Sequence, residues 1–217
     1  EYREVHQKAA VLYRKQARFQ LITTGKISQK SLLFENQHIE RLIKASRYFS
    51  YPFDAEYLKK KIEEECRACD INQDYRLRIS LSKSGKIELS RQILTPLTPT
   101  FCKAKICLQE ANLQQAFTYF KTTHRPHLSL GEQEEIYHNT KGELLETSIG
   151  NLVLKIAGKL YTPPIRLGIL PGIYRQHLLE TGQVEEKVLT LADLAQAEAI
   201  YGCNAVRGLY ELSMKEN

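Results

Sequence analysis

The spacing of apolar positions changes several times along the first half of the chain, and each change marks a new element. Residues 1–18 are charged, with Val5, Ala9 and Leu12 at partial helical spacing, and predict a helix. Phe19-Gln20-Leu21-Ile22-Thr23-Thr24 reads as a strand broken at Gly25. From His38 to Ser46, the positions Ile39, Leu42, Ile43 and Ser46 fall on one helical face, with Arg41 near its edge. Pro52 ends that region, and Asp54 is placed to cap a helix over 55–69. Arg76–Leu81 alternates strictly, Ser84-Gly85 turns, and Ile87–Ile93 returns, which is the pattern of a β-hairpin. Its arginines read as outward-facing strand residues, or as partners for a substrate carboxylate. Pro96 and Pro99 introduce another strand, Phe101–Leu108.

Gln109–Gln115 is polar and has neither period, so it reads as a linker. The expected organisation is a small N-terminal domain over 1–110, a linker at 111–116 and a C-terminal domain over 117–217. In the second half, short strands are predicted around Glu135–His138, Leu144–Glu146, Leu152–Ile156 and Lys159–Tyr161, with turns at Lys141-Gly142 and Gly158. A helix is predicted to start near Pro171 and end before Gly182, and Thr190-Leu191-Ala192-Asp193 has the form of a capping box. A last strand runs about Leu209–Leu212. Strands and helices mix without regular βαβ alternation, which predicts an α+β fold.

Composition narrows the function classes. The 217 residues are 42% hydrophobic and 26% charged, the balance of an ordinary globular protein. No apolar run approaches the roughly 20 residues a membrane-spanning helix needs, and no signal-peptide pattern opens the chain, so a cytoplasmic protein with no membrane partner is expected. Five cysteines, an odd number, do not suggest a disulfide framework. Cys66-Arg67-Ala68-Cys69 has metal-type spacing but no second pair, so no metal site is expected. The net charge of +6 comes from scattered residues with no recognition motif, which argues against nucleic acid and suits a small anionic substrate or simply a solvated surface.

One lysine stands out. Lys121 follows Ala116-Phe117-Thr118-Tyr119-Phe120 and precedes Thr122-Thr123-His124-Arg125. An apolar setting disfavours the ammonium form, which suits an amine that must attack an aldehyde. Read alone, the same pattern fits a surface lysine that snorkels. Further motifs follow: Glu146-Thr147-Ser148-Ile149-Gly150-Asn151, then Gly168-Ile169-Leu170-Pro171-Gly172-Ile173-Tyr174-Arg175, then Cys203-Asn204-Ala205-Val206-Arg207-Gly208. The second offers a glycine-bounded turn leading into a helix N-terminus, a natural anion cradle.

In order and spacing these motifs resemble the fold-type IV pyridoxal-phosphate enzymes, the class IV aminotransferase family, over about Phe19 to Leu212. The resemblance implies a two-domain fold like that of D-amino-acid aminotransferase, with pyridoxal 5'-phosphate as cofactor. The Lys-Thr-Thr-x-Arg and Cys-Asn-x-Val-Arg-Gly runs look most like 4-amino-4-deoxychorismate lyase, and like the lyase-type domain fused to aminodeoxychorismate synthase component I. By this resemblance Lys121 is the catalytic amine and base, and Glu146 partners the ring nitrogen. Arg41, in a His-x-x-Arg-Leu setting, reaches the phosphate; Ile173 and Tyr174 donate to it through their backbone. Asn204 and Ala205 stand where aminotransferases commonly carry a threonine for the same phosphate. Arg125 and Arg207 would face substrate carboxylates, because a guanidinium forks onto a carboxylate. Asn151 holds loop structure. The implied reaction yields 4-aminobenzoate and pyruvate for folate synthesis, in a homodimer, with aminodeoxychorismate synthase as a partner or fusion. The run Pro126-His127-Leu128-Ser129 lacks the aromatic residue and acid of lyase-like domains. An aminotransferase for D- or branched-chain amino acids, and a catalytically silent domain serving assembly, therefore stay open.

Overall fold

A computed structural model describes residues 19–109, 116–129 and 131–214. The helix read over 1–18 and linker residues 111–115 lie outside the described residues. The fold is α+β, and the chain forms two compact units.

The first unit runs through Leu94 and takes back the short segment Phe120–His124. Its sheet is antiparallel, in the order β2-β1-β3-β4, from β1 (Leu21–Ser28), β2 (Ser31–Leu32), β3 (Tyr75–Leu81) and β4 (Ile87–Ile93). The hairpin β3–β4 forms as its alternation predicts, closing at Gly85 with φ +86°. Two helices follow β2: α1 (Glu35–Phe49) and α2 (Ala55–Arg67). Asp54 caps α2, its carboxylate accepting from Tyr57 N at 2.9 Å. His38, Ile39, Leu42, Ala45 and Phe49 form the buried stripe of α1. Gly25 does not break β1, as its sequence suggested, but lies inside it. A Cβ there would come within 2.5 Å of His38 Nε2 and 2.8 Å of Leu32 Cδ1, so this glycine lets α1 lie close against the strand.

The segment Phe120–His124 lies along β1. Ile22 N donates to Lys121 O at 2.9 Å, Thr123 N donates to Gln20 O at 2.9 Å, and Leu21 and Thr122 form an antiparallel bridge. Phe120 packs on Tyr48 and Phe49 of α1, with ring centroids 4.6 and 5.4 Å apart.

The second unit holds Thr95–Tyr119 and the chain from Arg125 onward. Its strands are β5 (Lys103–Leu108), β6 (Glu135–His138), β7 (Leu144–Thr147), β8 (Asn151–Ile156), β9 (Lys159–Thr162), β10 (Glu185–Glu186), β11 (Ala199–Asn204) and β12 (Gly208–Met214). They form one sheet in the order β10-β9-β8-β11-β12-β5-β6-β7, and β7 also pairs with β8. That last pairing closes six strands into a barrel. Leu152, Leu154, Ile200 and Leu212 pack with Ile136 and Leu144 in its core.

Grouping residues 1–110 together misplaces β5. This strand pairs in parallel with β6 and β12, neighbours distant in sequence, so its local pattern could not reveal its unit. Three helices belong here: α3 (Ala116–Tyr119), α4 (Ile173–Glu180) and α5 (Leu191–Gln196). The capping box of α5 is present, with Thr190 Oγ1 accepting from Asp193 N and Asp193 Oδ2 accepting from Thr190 N. Helix α4 begins two residues after Pro171, with Gly172 as its N-cap. Strand β11 was not legible from its pattern, because Gly202 interrupts the β-branched and aromatic run. Among the described residues no helix is long and apolar enough to cross a membrane, all five cysteines are free, and no His, Cys, Asp and Glu cluster could hold a metal ion.

Candidate active site

The residues singled out by sequence fall into two sets, one in each unit. The first unit carries Arg41 and Lys121. Arg41 sits half-buried on α1, one turn after the fully buried His38. The His38 ring has Nδ1 2.6 Å from Thr23 Oγ1, while Nε2 faces Gly25 with no hydrogen-bond partner among the described residues. Burial, followed by the charges of Arg41 and Lys121, pushes the His38 pKa down to about 3. Both cations therefore act on one buried neutral ring. The backbone of Lys121 is fixed by its pairing to β1, and Thr122 turns the chain onward, its hydroxyl donating to His124 O at 2.7 Å.

The second unit carries the rest. Glu146 ends β7 and is 2% exposed. Asn151, its register partner, opens β8. Together they hold the backbone of one residue: Leu170 N donates to Glu146 Oε2 at 3.4 Å, and Asn151 Nδ2 donates to Leu170 O at 2.8 Å. Two residues later Gly172 starts α4. A Cβ on Gly172 would lie 1.9 Å from Asn151 Oδ1, so only glycine lets the helix start this close to that amide. Gly172, its N-cap, brings no capping side chain of its own, and Ile173 and Tyr174 are the first two residues of α4. The helix is anchored from behind by Arg175, 1% exposed, whose Nη2 donates to Pro163 O at 2.8 Å and pairs with Glu186.

Asn204 ends β11 and organises the turn into β12. Its Oδ1 accepts from Val206 N and Arg207 N, both at 2.9 Å, and its Nδ2 donates to Ile149 O at 3.3 Å. Ala205 lies within this turn. The turn abuts α4, since a Cβ on Gly208 would be 3.4 Å from Tyr174 Oη. Arg207 leaves the turn toward its own unit, Nη1 donating to Thr95 O. Arg125 is half-buried, and Nη2 lies 3.9 Å from Glu146 Oε2. Its Nε has no hydrogen-bond partner among the described residues. The carboxylate it meets here is thus the protein's own.

These features match what pyridoxal phosphate needs from a protein. A buried carboxylate that ends a strand can hold a protonated ring nitrogen, and a helix start beside a second turn offers backbone N–H donors to a phosphate. The first unit, by itself, presents a lysine whose backbone is fixed by pairing to β1. His38, Glu134 and Tyr210 also bear on these groups and were not singled out. Glu134 lies in Glu132-Gln133-Glu134-Glu135, which reads as a solvated acidic run.

The amino-transferase class IV family model matches residues 20–213. An uncharacterized protein of Haemophilus influenzae is 34% identical over 79 residues, 36% of this chain and 41% of that protein, so the match spans less than half of that relative. A Mesorhizobium loti crystal structure, described as a "putative amino-acid aminotransferase", is 27% identical with a TM-score of 0.76, covering 91% of this chain and 100% of that one. A Legionella pneumophila structure, described as a "putative 4-amino-4-deoxychorismate lyase", shares the fold at 22% identity and a TM-score of 0.70, over 91% of this chain and 83% of that one. With its fold and the match across residues 20–213, the chain belongs to the class IV aminotransferase family of fold-type IV, pyridoxal-phosphate-dependent enzymes.

Proposed function

We propose that the chain binds pyridoxal 5'-phosphate and acts as a 4-amino-4-deoxychorismate lyase, forming 4-aminobenzoate and pyruvate. The observation that carries the reading is the Leu170 backbone held by Glu146 and Asn151, which fixes a buried carboxylate beside the start of α4. Lys121 would hold the cofactor aldehyde and Glu146 its ring nitrogen. Arg41, the Ile173 and Tyr174 amides, and the Asn204-Ala205 turn would hold its phosphate. When bound, the cofactor supplies the electron sink that makes the substrate's neighbouring C–H bond labile.

The remaining chemistry belongs to the chain. Lys121 takes the proton from the ring carbon bearing the amino group and delivers it to the departing enolpyruvyl group. That group leaves as pyruvate, and the ring left behind is aromatic. Arg125 and Arg207 are the proposed partners of the substrate's two carboxylates. Lys-Thr-Thr-x-Arg at Lys121–Arg125 and asparagine at 204 favour the lyase over the transaminase branch, and the Legionella protein carries the same description.

The test is direct. Purified protein loaded with pyridoxal phosphate is given aminodeoxychorismate, and 4-aminobenzoate is followed by fluorescence. Absence of product rejects the lyase assignment. The Mesorhizobium neighbour supports a second reading, an amino-acid aminotransferase. Conversion of D- or branched-chain amino acids to their 2-oxo acids, with no 4-aminobenzoate formed, would select it. The lyase reading carries with it a cytoplasmic homodimer on the folate route, and light scattering on loaded protein reads the subunit count.

A further inference from the structure

The turn between Glu146 and Asn151 rests on a buried acid that the chemistry above does not use. Strands β7 and β8 meet through one register pair, Glu146 with Asn151, so the ladder at this seam is minimal. Thr147 and the Glu135 backbone hold part of the intervening Ser148-Ile149-Gly150, and Glu134, which is fully buried, holds it at Ile149. Its Oε1 accepts from Ile149 N at 3.3 Å, and its Oε2 accepts from Tyr210 Oη at 3.0 Å. Tyr210 reaches Glu134 by lying flat on β11, where a Cβ on Gly202 would be 2.4 Å from its ring. Gly150 is equally tight, with Cys203 O 2.6 Å from where its Cβ would stand. The far side of the same turn is tied to the second turn, because Ile149 O accepts from Asn204 Nδ2.

A buried carboxylate that accepts one donor from a turn and one from a strand ties the two together. Removing its charge weakens every bond it accepts. Burial raises the Glu134 pKa, with its donors pulling the other way. Tyr210 is held well above its usual value by burial and then by Glu134's charge, so its hydroxyl stays a donor.

We infer that Glu134, acting with Tyr210, is a positioning residue for the cofactor. Its carboxylate sets the Ser148–Gly150 turn, from which Glu146 takes its place under the ring nitrogen and Asn204 its place at the phosphate turn. This rests on the pyridoxal-phosphate reading above. It differs from a scaffold role in one respect: losing it impairs cofactor affinity beyond what the loss of stability accounts for.

The experiment compares Glu134→Gln and Tyr210→Phe with the unmodified chain. The control is Ile200→Val, a core change in the same barrel that does not touch the turn. For each, pyridoxal phosphate is titrated into cofactor-free protein and followed by visible absorbance, and the melting temperature of the cofactor-free protein is measured. Both test variants should raise the cofactor dissociation constant about tenfold, the worth of one hydrogen bond to a charged group. The double variant should do little more than either alone, since the two residues act as one unit. Ile200→Val should lower the melting temperature while leaving affinity within about twofold. If Glu134→Gln does not fold, Tyr210→Phe carries the comparison. Unchanged affinity in the test variants, or a loss in the control proportionate to its melting temperature, overturns the inference and leaves the cofactor reading standing. No uptake of pyridoxal phosphate by the unmodified chain overturns both.

Discussion

At the scale of single residues, the first unit gives its clearest signal through His38. Its folded pKa of about 3 lies below the ordinary 6.5, first because the ring is buried and then because Arg41 and Lys121 are cationic. Between those values the unfolded chain takes up a proton that the folded chain refuses. Stability from this group is therefore full above pH 6.5 and falls as pH drops toward 3, by up to about 1.4 kcal/mol per pH unit. Glu135 titrates in a lower window. Burial raises it, but hydrogen bonds from Lys105, Ser129 and Tyr137 outweigh that and bring it from 4.5 to about 2. Its contribution is present above pH 4.5 and is lost below. Between pH 7 and 4.5 the denaturant midpoints also carry the raised carboxyls of Glu134 and Glu35, which act in the opposite direction, so His38 is isolated by difference: His38→Gln should lose the His38 share of that slope. An unaltered slope in the variant would assign the effect elsewhere. Lys121 makes the sharper prediction for chemistry. Lys121→Ala should abolish borohydride-stable attachment of pyridoxal phosphate and lower turnover by at least about 10²-fold, the usual worth of a positioned acid–base group. Attachment at another lysine, found by peptide mapping, would count against the assignment.

At the scale of elements, the loop into α4 concentrates the site. Glu146 and Asn151 hold both polar groups of the Leu170 backbone, and Gly172 sits hard against Asn151. Gly172→Ala must push Asn151 aside, breaking its bond to Leu170 and moving the start of the helix. The expected cost is about 1–3 kcal/mol of stability with a marked loss of cofactor affinity, read by melting and titration together. Gly25→Ala crowds His38 and Leu32 within the first unit and should cost similar stability. These glycines explain much of what sequence could and could not reveal. Asp54, the β3–β4 hairpin and the Thr190 capping box are local devices, each complete within a few residues, so pattern alone predicted them. Gly25 and Gly202 look like breaks because their cause, a histidine or a tyrosine from another element, is distant along the chain. Glu134 was hidden for the same reason: its donors come from Ile149 and Tyr210.

At the scale of the whole molecule, the residues proposed for the cofactor belong to different units, Lys121 to the first and Glu146 and the start of α4 to the second. The sequence resemblance could point to these residues because each motif lies within one unit and keeps its own spacing. It missed the domain membership of β5, which depends on parallel pairing with strands far along the chain. A divided set of contacts has a thermodynamic consequence. A ligand that binds only the folded form stabilises by mass action, about 2.7 kcal/mol at a hundredfold excess over its dissociation constant. Pyridoxal phosphate should therefore raise the melting temperature of the unmodified chain. Lys121→Ala should keep part of that rise, because Glu146 and the start of α4 still hold the ring and phosphate. Glu146→Gln should lose more of the rise while keeping covalent attachment at Lys121, since the amine is untouched. Inorganic phosphate at equal concentration should give a much smaller rise, because it engages only the anion cradle. Equal stabilisation by phosphate alone would mean that the carboxylate and the amine contribute nothing to holding the ligand, and the division of roles between the two units would have to be abandoned.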